Sequence, residues 1–386
     1  MPRMATLDVC IRGNGAVGLT LALALARQGL QVGVTGVTGA AGAAHPATPS
    51  QSATPDVRTY ALNAASRQLL TDLRVWQALP PDAVTLVDEM RVAGDAPGGL
   101  LNFSAWQQGC EALAWIVDAA ALEATLLTAA RFAPHLALLA DGDAAAGGAG
   151  LTVLAEGKAS ASRAALGVQF QRHAYGHTAL AARLVSDLPH GGVARQWFRA
   201  PDVLALLPFD RPQPGCSHGL VWSLPAERAA ALQTAPAAEF EAALAEATGG
   251  GAGTLRLASD RMAWPLAIAR ADRLCGPGWV LVGDAAHQVH PLAGQGLNMG
   301  LADAASLARV IAEREPWRTL GDEILLRRHV RERAGATRAM GWVTDSLLHL
   351  FAHPQPLARE LRNRGMGLLN QLAPIKRFLT HRALDA

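Results

Sequence analysis

The sequence predicts an α/β fold: a Rossmann-like nucleotide domain, interrupted by an inserted β-sheet domain and followed by a helical C-terminal tail. Three observations carry this. A short apolar strand, Leu7 to Ile11, runs into the turn Gly13-Asn14-Gly15-Ala16-Val17-Gly18, a helical run from Leu19 to Gln28 and a second strand, Leu30 to Val34. That is the opening βαβ unit of a dinucleotide-binding fold. From Gly167 to Leu224 the pattern turns strand-like, with turn residues at Pro189 to Gly192 and Pro212 to Gly215. A second apolar strand, Trp279 to Val282, then leads into a glycine-rich helix start at Gly294.

The elements follow in order. In the first turn, Gly13 permits the tight bend, Gly15 lets a pyrophosphate approach the backbone, and Gly18 lets helix and strand pack closely. The unpaired N–H groups at the helix N-terminus are available to the phosphate. Gly36 to Pro55 is low in complexity and reads as a loop. A helix from Ala64 to Leu79 ends at Pro80-Pro81, Val84 to Phe103 can supply a hairpin, and Ala119 to Phe132 is a helix by its Ala and Leu content. Asp141 to Gly150 is a second loop, Ala226 to Thr248 is helix, and Arg318 to Ala386 is mostly helix, broken at His353-Pro354 and at Gly365 to Gly367. The expected division is a nucleotide domain in three parts (1–80, 116–165, 266–318), substrate-domain segments at 81–115 and 166–265, and a C-terminal helical region at 319–386.

Composition excludes several classes. The 386 residues are 50% hydrophobic and 17% charged, which suits a folded protein with a sizeable core. A net charge of +2 gives no field to recruit nucleic acid. Only Lys158 and Lys376 are lysines; with so much Ala this reads as codon bias. Cys10, Cys110, Cys216 and Cys275 form no CxxC pair, so no metal site is expected and a reduced, cytosolic compartment is. There is no signal-peptide layout and no apolar run of about 20 residues for a membrane span.

The most specific stretch lies downstream. Val280-Leu281-Val282-Gly283-Asp284-Ala285-Ala286-His287 is followed by His290-Pro291-Leu292-Ala293-Gly294-Gln295-Gly296-Leu297-Asn298 and then Asp303. A carboxylate at a strand end can accept hydrogen bonds from ribityl or ribose hydroxyls. The N–H groups of the next helix start can stabilise negative charge on a flavin ring. The bland reading of the same residues is an Asp cap on a glycine-rich turn.

This stretch resembles the second FAD fingerprint of the class A flavoprotein aromatic hydroxylases, and most of all that of the ubiquinone-biosynthesis hydroxylases, which act on polyprenylated phenols. Other segments agree. Asp56-Val57-Arg58-Thr59-Tyr60-Ala61-Leu62 resembles the family's D-x-R-x-x-A-L segment, whose arginine approaches the flavin. Leu188-Pro189-His190, Ala194-x-Gln196-x-Phe198 and Leu204 to Phe209 resemble its central substrate sheet. Arg261-x-x-x-Pro265-Leu266 precedes the fingerprint as in the family, and Leu347-x-x-Leu350-Phe351 and Arg362-x-x-Gly365 resemble its tail.

The resemblance implies FAD held by Gly13, Gly15, Ala16, Gly18, Arg58, Glu156, Asp284, Pro291, Gly294, Gln295, Gly296, Leu297 and Asn298, with Leu206, Pro208 and Trp222 at a substrate pocket. It implies that NAD(P)H reduces FAD, that O2 adds at flavin C4a to give a hydroperoxide, and that the distal oxygen attacks the ring of a hydrophobic phenol. The cofactor carries that chemistry, so no side chain is assigned as catalytic and His290 reads as structural. A cytoplasmic protein is expected; its basic tail (Arg359, Arg362, Arg364, Lys376, Arg377, Arg382) reads either as an ordinary solvated helix face or as a surface touching the inner membrane or a biosynthetic complex.

Three positions depart from the family. Gly36 stands where an acid holds the adenosine ribose, Ala120 where an arginine is usual, and Glu156-Gly157 where the family has Asp-Gly; Arg12 is an odd charge at a buried strand end. FAD affinity is therefore expected to be weak. Two other readings compete: a catalytically silent scaffold or lipid-binding subunit of the same pathway, and a hydroxylase of a small soluble phenol.

Overall fold

The computed structural model describes residues 7–36, 56–94, 100–140, 148–288 and 295–335. Helices α1 to α8 are Ala16–Ala26, Ala64–Asp72, Ala105–Gln108, Ala119–Phe132, Ala161–Ala165, Ala226–Thr234, Ala237–Thr248 and Gln295–Ala312; residues 323–335 are also helical, α9.

The first sheet has strands in the order Cys275–Gly276, Trp279–Leu281, Leu151–Leu154, Val9–Arg12, Val32–Thr35 and Leu136–Leu138. All pairs but the first are parallel. Val9, Cys10 and Ile11 are fully buried, as a central parallel strand requires. Helix α1 is apolar on nearly every side because it is covered on nearly every side: Leu19, Leu21 and Leu25 share one core with Leu122 and Leu126 of α4 and Leu301 and Leu307 of α8.

A small antiparallel sheet (Thr59–Leu62, Ala114–Asp118, Val84–Val87) links this domain to a nine-stranded sheet. The long sheet runs His287–Gln288, Met262–Ala271, Phe170–Ser186, Ser217–Pro225, Asp202–Phe209, Val193–Arg199, Glu89–Ala93, Leu100–Ser104, with Leu255–Leu257 beside Phe170–Ser186. Its two faces differ in residue size. One face carries the cross-strand row Trp197, Leu204, Trp222, Leu180, Ala263, packed on Leu232 of α6 and Phe240 and Leu244 of α7. The other face carries the row Gln196, Ala205, Val221, Ala181, Met262 and turns toward the small sheet. There Gly219 lies so close to Thr59 that a Cβ on it would come within 2.5 Å of Oγ1.

Several expected elements shift. The helix from Ala64 stops at Asp72, and a 3-10 turn, Trp76–Ala78, completes the stretch. The helix expected over Ala226 to Thr248 is two, divided at Pro236, which lacks the N–H an interior turn needs. Val84–Val87 joins the small sheet, and the hairpin is Glu89–Ala93 with Leu100–Ser104. Strand Met262–Ala271 runs across the boundary expected at 265/266. Most of the two expected loops (37–55, 141–147) and the tail beyond 335 lie outside the described residues.

On the helix-covered face, His218 is 1% exposed, sits edge-on to His190 with ring centroids 6.0 Å apart, and has no partner for Nδ1 among the described residues. Burial, reinforced by His190 and Arg195, pushes its pKa down to about 4 from 6.5. Between those values the unfolded chain binds the proton and the folded chain does not. The stability present above pH 6.5 is therefore lost as pH falls toward 4, on the order of 3 kcal/mol in all. Denaturant melts at pH 7 and pH 5 check this: His218→Gln should lose less stability on acidification than wild type, and an equal loss would refute the assignment.

Candidate functional site

The two glycine-rich segments meet. Gly13 has φ +115°, and a Cβ there would lie 2.3 Å from the Ala155 carbonyl oxygen, so only glycine makes this turn. A Cβ on Gly18 would lie 2.1 Å from the Gly13 carbonyl oxygen, whereas one on Gly15, the N-cap of α1, would meet no atom within 4 Å. The turn is thus packed underneath and open above. The first turn of α1 holds no acidic side chain, which leaves its N–H groups to an outside anion. Across from it, a Cβ on Gly283 would sit 3.4 Å from Val17 Cγ1 and one on Gly300 2.5 Å from Val17 Cγ2. Val17 therefore packs against both halves of the downstream fingerprint.

Asp284 follows Gly283 at the end of strand Trp279–Leu281, in a 3-10 turn. Burial pushes its pKa up, partly offset through space by Lys158, His287 and Arg58. Its carboxylate faces the start of α8: a Cβ on Gly296 would lie 4.0 Å from Oδ1. Among the described residues no donor hydrogen-bonds it and the side chain is half-buried, so an acceptor stands open without a protein partner, a position a ligand hydroxyl would fill. Arg58, which enters the same field, is held by a two-point pair to Asp56 (Nη2–Oδ2 2.6 Å, Nε–Oδ1 2.9 Å) and lies 3.5 Å from Glu123. The hydrogen bond to Asp56 raises its pKa above the usual arginine value.

Two expected cofactor contacts have other partners. Glu156 turns inward, where its carboxylate accepts from Ser160 Oγ (2.5 Å), Ser162 N (3.1 Å) and Ser162 Oγ (2.8 Å), and Arg12 donates to the same Ser162 Oγ (2.8 Å). The extra methylene of Glu over Asp lets it cap α5, and the odd charge of Arg12 finds its partner there. Asn298 is 1% exposed and ties α8 to the α2 region: Oδ1 accepts from Asn63 N (3.1 Å) and Ser66 Oγ (2.8 Å), and Nδ2 donates to the Ala61 carbonyl (2.8 Å). Gln295 opens α8, with Gly296 and Leu297 half-buried behind it. Pro291, Gly294 and His290 lie outside the described residues.

The substrate residues also need correcting. Leu206 and Trp222 are 0% exposed in the core under α6 and α7, and Pro208, buried, falls on the same face by strand alternation. Their neighbours one residue along, Ala205 and Val221, with Met262 and Trp264, are half-buried on the face toward Arg58 and the small sheet. The signal that could have found them is the alternation of large and small side chains. It separates the faces, but it does not say which face a ligand meets.

An open glycine turn at a helix start and an unpartnered carboxylate at a second strand end are a donor and acceptor set that fits an FAD. The model of the FAD-binding-domain family matches residues 118–341, more than half of the chain, and the chain belongs to this family of FAD-dependent flavoprotein hydroxylases. It is 32% identical over 398 residues to a ubiquinone hydroxylase, UbiL, of Rhodospirillum rubrum, covering 98% of this chain and 89% of the relative. It is 29% identical over 394 residues to the 3-demethoxyubiquinol 3-hydroxylase of Escherichia coli, covering 96% of each. Its fold is that of PqsL, a probable FAD-dependent monooxygenase of Pseudomonas aeruginosa, with a TM-score of 0.71 at 22% identity over 93% of this chain and 99% of that one.

Proposed function

We propose that the chain is an FAD-dependent monooxygenase that hydroxylates a polyprenylated phenol ring in ubiquinone biosynthesis, with NAD(P)H as electron donor. The observation that carries this reading is the unpartnered Asp284 carboxylate between two converging glycine segments, with a half-buried apolar sheet face nearby. Bound FAD supplies the redox chemistry and the activation of O2. The protein binds and orients. The α1 N–H groups and the open side of Gly15 would hold the diphosphate, Asp284 would accept from hydroxyls of the cofactor chain, and the N–H groups at the start of α8 would stabilise negative charge on the ring system. The row Ala205, Val221, Met262 carries no charge and suits an uncharged, hydrophobic ring. No helix among the described residues is long and apolar enough to cross a membrane; contact with a membrane-dissolved substrate is through the surface in this proposal.

The test is reconstitution. Protein supplied with FAD, NADH or NADPH, O2 and a short-chain prenylated phenol should consume the nicotinamide and yield a product heavier by one oxygen. A colourless preparation that FAD cannot reconstitute would overturn the reading and leave the scaffold subunit, which Gly36 and Ala120 favour. Equal turnover of a small soluble phenol would leave the third reading.

Gly36 sharpens this. It has φ +91°, and a Cβ there would lie 3.7 Å from Asn14 Oδ1. There is room for a side chain, but the left-handed backbone penalises one by about 1–2 kcal/mol. Gly36→Glu should therefore lower apoprotein stability by about that amount and tighten FAD by about a decade or more, since a charge-assisted hydrogen bond contributes ~1.5–3 kcal/mol. Fluorescence titration of both apoproteins reads the affinity. Unchanged affinity would mean that a neighbouring group, Asn14 first, already meets the ribose.

A further inference from the structure

Asp303 lies one face of α8 away from the cofactor residues and is 2% exposed. Its two carboxylate oxygens serve three separate elements. Oδ2 accepts from the backbone N–H of Gly283 (3.0 Å) and from His287 Nε2 (2.7 Å), and Oδ1 accepts from Arg333 Nε (2.8 Å). Gly283 opens the turn that carries Asp284. His287 belongs to the short strand that pairs with Met262–Ala271 of the long sheet. Arg333 comes from α9 and also donates to the Met299 carbonyl of α8 (3.3 Å). Burial alone would raise the Asp303 pKa, but His287 and Arg333 outweigh it and hold the group ionised. An ionised carboxylate requires the proton on His287 Nε2, so every contact here is a donor aimed at one acceptor.

We propose that Arg333 is a positioning residue for the flavin: acting through Asp303, it fixes the Gly283–Asp284 turn, so that FAD binding and the docking of α9 are coupled. The physical reason is the cost of a buried carboxylate. Without Arg333, Asp303 keeps its burial and its bond to His287, but Oδ1 loses its charged donor and the carboxylate loses its tie to α9; a buried carboxylate with one oxygen unpaired shifts to find another donor. That shift weakens its hold on the Gly283 N–H and frees the turn on which Asp284 rides. Coupling is reciprocal: if α9 helps hold the turn for FAD, FAD must help hold α9. The proposal rests on the FAD reading above.

The same two helices offer a control. Arg309 of α8 pairs with Glu332 of α9, the neighbour of Arg333, on the exposed side and away from Asp303. If α9 matters only as packing, breaking either link should act alike. Apoprotein is titrated with FAD, and Tm is measured for each variant. Arg333→Ala should weaken FAD about tenfold or more, a typical coupling between sites. Arg333→Lys, which keeps the charge, should recover most of that loss, and Arg309→Ala should stay within about twofold of wild type, as a surface pair of small worth should. In wild type, hydrogen exchange across residues 324–335 should slow when FAD is added, and this readout serves even if Arg333→Ala fails to fold. Equal FAD affinity in folded Arg333→Ala, equal weakening by Arg309→Ala, or exchange indifferent to FAD would overturn the proposal. Failure of the wild type itself to bind FAD would instead sink the FAD reading.

Discussion

Asp284→Ala is expected to lose most of its FAD while keeping its fold. The carboxylate is half-buried, with a pKa raised by burial, and has no donor among the described residues, so its removal from the empty protein breaks no hydrogen bond with them. The apoprotein Tm should hold or rise. In the loaded protein the same change strands the cofactor hydroxyls, costing on the order of 1–3 kcal/mol, or up to about two decades in affinity. His290→Ala should do less, because no proton transfer is assigned to it. Measuring FAD affinity and apoprotein Tm on one preparation separates a ligand contact from a loop cap. An unchanged dissociation constant with a lowered Tm would make Asp284 a cap and nothing more.

Trp222→Ala and Val221→Trp should fail in opposite ways although the residues are adjacent. Trp222 is fully buried against Phe240, with ring centroids 6.2 Å apart, and Arg228 lies over its ring. Its truncation leaves a cavity and should destabilise by about 3–5 kcal/mol. Whatever of that variant remains folded should bind FAD normally. Val221 points to the other face, where an indole projects over Ala205 and Met262. Val221→Trp should leave Tm and FAD affinity near wild type and cut turnover of the prenylated phenol by on the order of 10²-fold, the scale of a misplaced reacting ring. Chemical denaturation and product formation on the two variants read this directly. Normal turnover by Val221→Trp would move the substrate elsewhere.

Much of the fold was legible because its signals are local. The strand–glycine–helix–strand opening and the helix over Ala119–Phe132 can be read from neighbours in sequence. In the candidate site the tight packing at Gly13 and Gly18 was legible, because spacing there carries a mechanical requirement. The protein partners of Glu156 and Asn298 were not legible, because a polar side chain in a fingerprint meets a ligand or other parts of the chain with the same sequence, and only geometry shows those partners. The choice of Leu206, Pro208 and Trp222 for a pocket failed for a related reason, since they lie on the core face. Period-two alternation sorts Leu204, Leu206 and Trp222 from Ala205 and Val221, but the bulky set attracts attention while belonging to the core. Asp303 stood in the quoted motif, yet its importance depends on Arg333, thirty residues later and on another helix.

The meeting of Val17 with Gly283 and Gly300 also bears on how the protein is made. A chain leaving the ribosome presents α1 long before α8 exists. Until Gln295–Ala312 has been synthesised, Leu19, Leu21 and Leu25 lack part of the cover they have in the finished core. Contacts of such sequence separation form slowly, because a long loop must close before they contribute. An N-terminal fragment ending before α8 would therefore expose part of the apolar surface of α1.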